Sequence, residues 1–563
     1  MKNVFRNGIL AAVGLYTVCT VLFFFPSFSS FSTSLIGPPE DNMLLFWSLW
    51  HGTGTFLKSG LPAIFHTDYL YYPDGVSLFY GPVWLYGVAV SVLLHPFFST
   101  IQVYNFLVLH SFVFSGVGAF CLIRYLTGDT KVSLVGGFIF AFSPAHFVRS
   151  LHHAHLANMQ FIPFFVLFTI KSMKEKNWKN PLLAALFLVL NTICDWNYFV
   201  QGAVFLIMVY FYRTVSKRKF LFHDTRQAAL IMGAAVFILL PLIIPMSLMS
   251  LQHPKNMYLP GHYIFFADFF SFFIPHHAHW IGHTQWIGDY YAKIGGFEWE
   301  NKIVYLGWIN ILLVLVASKT LIKYNAKYLG AFFAFLILAM GPLLHLGGFR
   351  TAVYLPYQFL MKFPLFLHAR SPARFMTYGY LFLGVLVAFS LKRLFLSRAG
   401  SLAAKALFVG IASLIFFDFY STGIGSTPVY LPKAYEIIMA DEEKDFGILN
   451  IPAEQNYGAS YLMFQTLHHV PTVEGYIGRR SQEALVDRLP FDPRMLRFQK
   501  NSLFENHVKY IVIHKELLRI QHENLAKSFL YKPTPPPAIV LAFYSKNYPK
   551  VYEDDNQAVF RVY

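Results

Sequence analysis

Residues 37–50 read Gly37-Pro38-Pro39-Glu40-Asp41-Asn42-Met43-Leu44-Leu45-Phe46-Trp47-Ser48-Leu49-Trp50, close behind the first long apolar run of the chain. Two acids followed by an aromatic run lie, in that place, at a membrane–water boundary. A carboxylate there is costly to desolvate and is usually kept for a task. The apolar run before it extends to about Phe25 and starts behind Lys2 and Arg6. No small-residue cleavage site follows closely, so it reads as a retained signal anchor.

The composition agrees with a polytopic helical membrane protein. The chain of 563 residues is 56% hydrophobic and 18% aromatic, with only 13% charged residues. A soluble protein of this length carries about twice that charged fraction. The net charge of +16 sits in short loops between apolar runs, where Lys and Arg set topology and meet anionic lipid rather than nucleic acid. Cys19, Cys121 and Cys194 fall in or beside apolar runs, so no disulfide framework is expected.

Eleven spans are expected, near 8–26, 104–126, 132–147, 156–171, 181–194, 197–213, 226–248, 302–318, 327–345, 375–391 and 404–420. With the N-terminus inside, the basic loops share one side: Arg124 and Lys131; Lys171, Lys174, Lys176 and Lys179; Arg213, Lys217, Arg218 and Lys219; Lys319, Lys323 and Lys327; Lys392, Arg393, Arg398 and Lys405. The pattern holds only if the run near 82–96, bounded by Gly81-Pro82 and His95-Pro96, is an interfacial or re-entrant helix. Residues 1–420 are then the multi-span part, with a first outer loop at 27–103 and a second at 249–301. Residues 421–563 form an exported α/β domain: strands are expected at Phe446–Asn450 and Tyr510–Ile513, a helix at 515–530, and a hairpin over 551–563 around Asp554-Asp555-Asn556.

Several outer segments carry chemistry. Glu40 and Asp41 can supply a general base and a partner that orients the acceptor or binds a metal, or Asp41 can cap a helix starting at Asn42. Tyr72-Pro73-Asp74-Gly75 is a turn signature, with Asp74 in a structural role. Arg149, in Ser143-Pro144-Ala145-His146-Phe147-Val148-Arg149-Ser150-Leu151-His152-His153-Ala154-His155, makes an anion site with the imidazoles around it, His153 included, or snorkels at the interface. Asp195 sits in an outer turn or faces a cavity within the bilayer. Asp268, the cluster Pro275-His276-His277-Ala278-His279, and Glu298 lie in the second outer loop; His276 and His279 have ligand-like spacing, which leaves a divalent metal open. Arg370 and Arg374 stand on the outer side, against the charge rule, and point to an anionic ligand.

Taken in order, these pieces resemble the GT-C class of membrane glycosyltransferases, which includes protein mannosyltransferases and lipid A aminoarabinose transferases, and more closely its bacterial members. The resemblance rests on Asp41 followed by Trp47, on Tyr72-Pro73-Asp74-Gly75, on Ala267-Asp268 before Pro275, on Val304-Tyr305-Leu306-Gly307, and on Arg370-Ser371-Pro372-Ala373-Arg374-Phe375. In the tail, Gln465-Thr466-Leu467-His468 and Glu474-Gly475-Tyr476 are similar to segments of such proteins, with no task assigned. The resemblance implies sugar transfer from a polyprenyl-phosphate carrier to a glycan, lipid or protein acceptor on the exported face of a bacterial inner membrane. It implies Asp41 as the catalytic acid of the first loop, Asp268 or Glu298 as a further acid, and Arg149, Arg370 and Arg374 as phosphate contacts. The rival readings are a lipid or glycan transporter and a membrane glycan polymerase or ligase.

Overall fold

A buried asparagine in a membrane helix fixes the approach to the Asp41 loop. Helix α1 (Lys2–Phe24) leads through a short strand, Ser34–Ile36, to helices α2 (Asp41–Ser59), α3 (Leu85–Leu94) and α4 (Thr100–Thr127). Asn105 of α4, wholly buried, accepts from Ile36 N at 2.9 Å and donates to the carbonyls of Phe31 and Ser34 at 2.9 and 2.8 Å. An orphaned amide would be expensive at that depth, so the strand is pinned. Its other edge pairs antiparallel with Ser426–Pro428.

The structure, a computed structural model, describes all residues except 1, 40, 82, 176, 219–221, 254–260, 296–301, 364–365, 367–368, 397–400, 455–456, 481–482, 490–495 and 527–534. Helix α4 starts in a capping box between Ser99 and Gln102 and stops at the left-handed Gly128. Asp129 then caps α5 (Thr130–Ala141). Ser143-Pro144 breaks the path, and α6 (Pro144–His152) leaves at 41° to α5, because proline cannot continue a helical hydrogen-bond ladder. After α7 (Ala154–Ala157), α8 (Ile162–Lys174) crosses away, α9 (Lys179–Cys194) returns, and α10 (Trp196–Lys217) crosses away again, followed by α11 (Phe222–Gln252).

Among the described residues, eight helices are long and apolar enough to cross a membrane, or nine if α5 and α6 are one bent span. Eleven were expected from the apolar runs. The runs at 181–194 and 302–318 do not form full-length spans: α9 has 16 residues and the helix Trp308–Val316 has nine. Residues 303–307 form no helix or strand, and 343–346 form a strand rather than continuing the helix Ser318–Ala339. The run near 82–96 is the 10-residue α3, about 15 Å long and too short to span. It packs against α2, α4 and α9.

The C-terminal region carries the expected strands and helix. Its four-stranded sheet has the order Gly447–Ile451, Val508–His514, Gln557–Arg561, Lys550–Glu553; the first pair is parallel and the others are antiparallel. The helix Gly458–His468 crosses over between the parallel strands and packs on α2, where Trp47 Nε1 donates to Gln465 Oε1 at 2.7 Å. Under the sheet, Glu474 is 2% exposed and accepts from Asn450 N and Nδ2 at 3.0 and 2.7 Å. Burial pushes its carboxyl up to about 7 against those two bonds.

The unfolded chain loses the Glu474 proton near pH 4 to 5, whereas the folded state holds it to about 7. Stability from this group is thus complete at the acid end and falls as pH rises through that window. Replacing Glu474→Gln is expected to flatten the decline in thermal unfolding temperature between pH 5 and 8; an unchanged slope contradicts this account.

Candidate active site

Asp41 is the first residue of α2, and its carboxylate engages groups from distant parts of the chain. Tyr476 Oη donates to Oδ1 at 2.7 Å, and His153 Nε2 lies 3.3 Å from Oδ2. A carboxylate only accepts, so Nε2 carries the proton in this pair. Burial opposes ionisation of Asp41, but hydrogen bonds from His153 and Tyr476, with His153 and His155 nearby, outweigh it and hold the carboxyl well below its usual range. Burial also pushes the His153 imidazole down, against the pull of Asp41. The Asp41 side chain is still 37% exposed, against 13% for His153. The acid is therefore reachable, and the histidine stands behind it.

A second acid–imidazole pair lies next to the first. Asp195, between α9 and α10, caps α10 through Asn197 N at 2.7 Å and accepts from Asn197 Nδ2 at 2.6 Å. Its Oδ2 is 3.2 Å from His155 Nε2. The His153 and His155 rings are 6.1 Å apart. Asp41, Asp195 and His155 line one cavity of about 240 Å³ with Tyr80, Trp84 and Trp196. The sequence left Asp195 between an outer turn and a cavity; it lies in the turn between α9 and α10 and lines a cavity with Asp41.

The neighbouring cavity, about 540 Å³, shares the walls Tyr80, Gly81, Val83, Leu85 and Trp196. It is lined by Arg370, Arg374 and Arg479 and by an apolar flank of α11 that includes Val236, Leu242, Ile243 and Met246, with no acid in its wall among the described residues. The Nε atoms of Arg374 and Arg479 are buried without a hydrogen-bond partner. The charge of Arg374 acts on both Asp195 and His153, so the arginine cavity and the acid cavity are electrically one site. Arginines beside an apolar wall fit an anionic headgroup on a hydrocarbon chain.

The structure also corrects parts of the sequence reading. Asp41 starts α2 and pairs with His153 and Tyr476. Arg149 is only 6% exposed and is spent on Thr377 Oγ1 and the Ala373 carbonyl at 2.8 and 3.3 Å. It braces the segment carrying Arg374 and is not in the cavity wall. Asp268, fully buried, accepts from Phe270 N, Tyr290 Oη and the amides of Gly347 and Gly348, which makes it a loop clamp rather than a substrate contact. Glu40 and Glu298 lie outside the described residues. His276 is taken by Ser421, and His279 by the Asp418 carbonyl. Among the described residues no three His, Cys, Asp or Glu side chains converge as metal ligands. Asp74 holds Leu485 N and Arg488, a structural role. Tyr476 stood in the sequence reading only within Glu474-Gly475-Tyr476, with no task assigned, and Arg479 escaped it.

The architecture is a polytopic helical bundle whose first long loop brings an acid to a cavity with arginines. A family model described as "Domain of unknown function (DUF6311)" matches residues 38–415, and the chain belongs to that family. No curated protein matches the sequence. Among solved structures it is similar to the oligosaccharyltransferase AglB from Archaeoglobus fulgidus, in complex with an inhibitory peptide and a dolichol-phosphate: 13% identity, TM-score 0.53, covering 96% of this chain and 72% of that one. It is also similar to the arabinofuranosyltransferase AftD from Mycobacteria: 13% identity, TM-score 0.59, covering 99% of this chain and 41% of that one. At such identities the likeness is one of fold.

Gly37 lets the Asp41 loop reach α6. Its φ is +107°, and a Cβ there would fall 2.1 Å from the Leu151 carbonyl oxygen, two residues before His153. Gly60 also has a positive φ, +81°, but open space around it. Gly37→Ala is expected to lower the thermal unfolding temperature clearly more than Gly60→Ala, since strain in the left-handed region is common to both and the clash belongs to one. Equal losses would mean that the close approach to α6 carries no stability.

Proposed function

We propose that this protein is a membrane glycosyltransferase that moves a hexosyl or pentosyl group from a polyprenyl-phosphate carrier to a hydroxyl of a glycan, lipid or protein acceptor, on the exported face of a bacterial inner membrane. The single observation that carries the reading is the joining of two cavities. One presents Asp41 and Asp195, each with its own imidazole; the other presents three arginines against an apolar helix face. Base, phosphate cradle and lipid groove then follow one another in the order that such a donor requires.

In this reading the donor enters from the bilayer along α11, and Arg370 and Arg374 take its phosphate. Asp41 accepts the proton of the acceptor hydroxyl as that oxygen attacks the anomeric carbon. The bond from the anomeric carbon to the phosphate oxygen breaks with inversion. The electron pair leaves with the polyprenyl phosphate, and the arginines stabilise the added negative charge. His153 keeps Asp41 oriented. Asp195, close to the charge of Arg374, holds His155 at the cavity wall. No nucleotide is needed, in keeping with a sequence without a phosphate-binding glycine loop. Orientation is supported by helix polarity: α8 and α10 both start at the site and end at Lys171, Lys174, Arg213 and Lys217. A 22-residue α10 separates Asp195 from its basic end by about 33 Å, the thickness of the hydrocarbon core. By the charge rule the site end is the exported one. We assign the C-terminal region, 421–563, to that same side.

The test is transfer of radiolabelled sugar from a panel of polyprenyl-phosphate sugars into membrane extracts. Asp41→Asn is expected to lower transfer by about 10²-fold or more, with the protein still folded. Because hydrogen bonding holds Asp41 below the usual carboxylate range, kcat/KM of the wild type is expected to show no acid limb from this group above about pH 4. Equal transfer by wild type and Asp41→Asn would remove the base and favour a polymerase or ligase mechanism; absence of transfer from every donor by folded wild type would favour a transporter.

A further inference from the structure

Residues 474–480, Glu474-Gly475-Tyr476-Ile477-Gly478-Arg479-Arg480, come from the C-terminal region, yet they form part of the membrane site. Tyr476 donates to Asp41, Gly478 lines the acid cavity, and Arg479 lines the arginine cavity. The strap is fixed at both ends. At one end Glu474 holds Asn450 under the sheet, and the Glu474 carbonyl accepts from Thr472 Oγ1 at 3.0 Å. Gly475 presses against the Tyr71 ring, 2.5 Å from where a Cβ would stand. At the other end Arg480 makes a two-bond pair with Asp487, both at 2.5 Å, and stacks over the same Tyr71 ring at 4.6 Å. Between these anchors, Tyr476 and Arg479 face the membrane helices. Arg479 stacks over Tyr80, a residue shared by both cavity walls, at 5.5 Å from its centroid.

We propose that this strap couples the two halves of the reaction: Tyr476 is a positioning residue that orients Asp41, and Arg479 is a third ligand for the phosphate of the lipid-linked donor. The proposal rests on the transfer reading above and goes beyond it, because it makes the extramembrane region a working part of the active site rather than a platform for the acceptor. The chemistry is specific to each residue. An ionised carboxylate held by two donors has one oxygen, Oδ1, fixed by Tyr476 and the other fixed by His153, so the base cannot rotate away from the hydroxyl it must deprotonate. Among the described residues, Arg479 and Arg374 each keep a buried Nε unpartnered in a cavity whose wall holds no acid. Such atoms are left for an anion, since burying an unmatched guanidinium donor is otherwise unfavourable. Arg370 lies close enough for its charge to act against that of Arg479, an opposition that a bound phosphate would relieve.

The experiment uses the full-length purified protein, a polyprenyl monophosphate as binding probe, and the sugar-transfer assay. Tyr476→Phe, which removes one oxygen, is expected to bind the probe as the wild type does, to lower kcat about tenfold with little change in donor KM, and to move the acid limb of kcat/KM to higher pH, because Asp41 loses a donor. Arg479→Gln is expected to weaken probe binding about tenfold and to raise donor KM. An unchanged kcat and pH profile for Tyr476→Phe would overturn the positioning role, and wild-type probe binding by Arg479→Gln would overturn the phosphate role. If Asp41→Asn itself transfers sugar normally, the fault lies in the transfer reading; if Asp41→Asn is inactive while both strap variants behave as wild type, only the strap proposal falls.

Discussion

An ionised carboxylate can stand at the edge of an apolar bundle only where donors reach it, and much of this molecule is arranged to bring donors to Asp41. His153 arrives because Ser143-Pro144 turns the chain out of α5 and sends α6 toward Asp41. The Asp41 loop meets α6 because Gly37 has no side chain to hold it off. Tyr476 arrives because the C-terminal region is tied back to the first loop by the Ser34–Ile36 and Ser426–Pro428 pairing and by the Trp47–Gln465 bond. Each of these contacts looks structural when taken alone. Together they fix the orientation of one carboxylate.

The bundle separates its chemistry along the membrane normal. Helices α8 and α10 begin beside the acid and arginine cavities and end in lysine and arginine; there Arg213 pairs with Asp224 and caps the Met173 carbonyl. The short α9 makes this arrangement work at the other end. Its 16 residues return the chain to the site without crossing a full bilayer thickness, and they deliver Asp195 to the level of Asp41. A helix two turns longer would carry Asp195 past the cavity. The deficit in length that removes α9 from the list of full spans is therefore what puts a second acid in the site.

Much of this was legible in the sequence, and what was not has identifiable physical causes. Asp41 stood out because a charge next to an apolar run is expensive, and Arg370 and Arg374 stood out because they break the charge rule. Strands at Gly447–Ile451 and Val508–His514 announced themselves by their β-rich runs. Arg149 and Asp268 carried the same local signals as the true cavity residues, but each is consumed by partners far along the chain: Arg149 by Ala373 and Thr377, Asp268 by Gly347 and Gly348. Local sequence records the cost of a buried charge and not which group meets it. The partner of Tyr476 was hidden for the same reason, since 435 positions separate it from Asp41. At 181–194 and 302–318 the apolar composition extends over helices of only 16 and nine residues.

The most direct measurement is a cryo-electron microscopy structure of the full-length protein with a polyprenyl monophosphate bound. The account predicts phosphate density among Arg370, Arg374 and Arg479, with the prenyl chain lying along Val236–Met246 of α11 and Asp41 still held by His153 and Tyr476. Phosphate density at the basic end of the bundle, near Lys174 and Lys327, with the three arginines unoccupied, would contradict it.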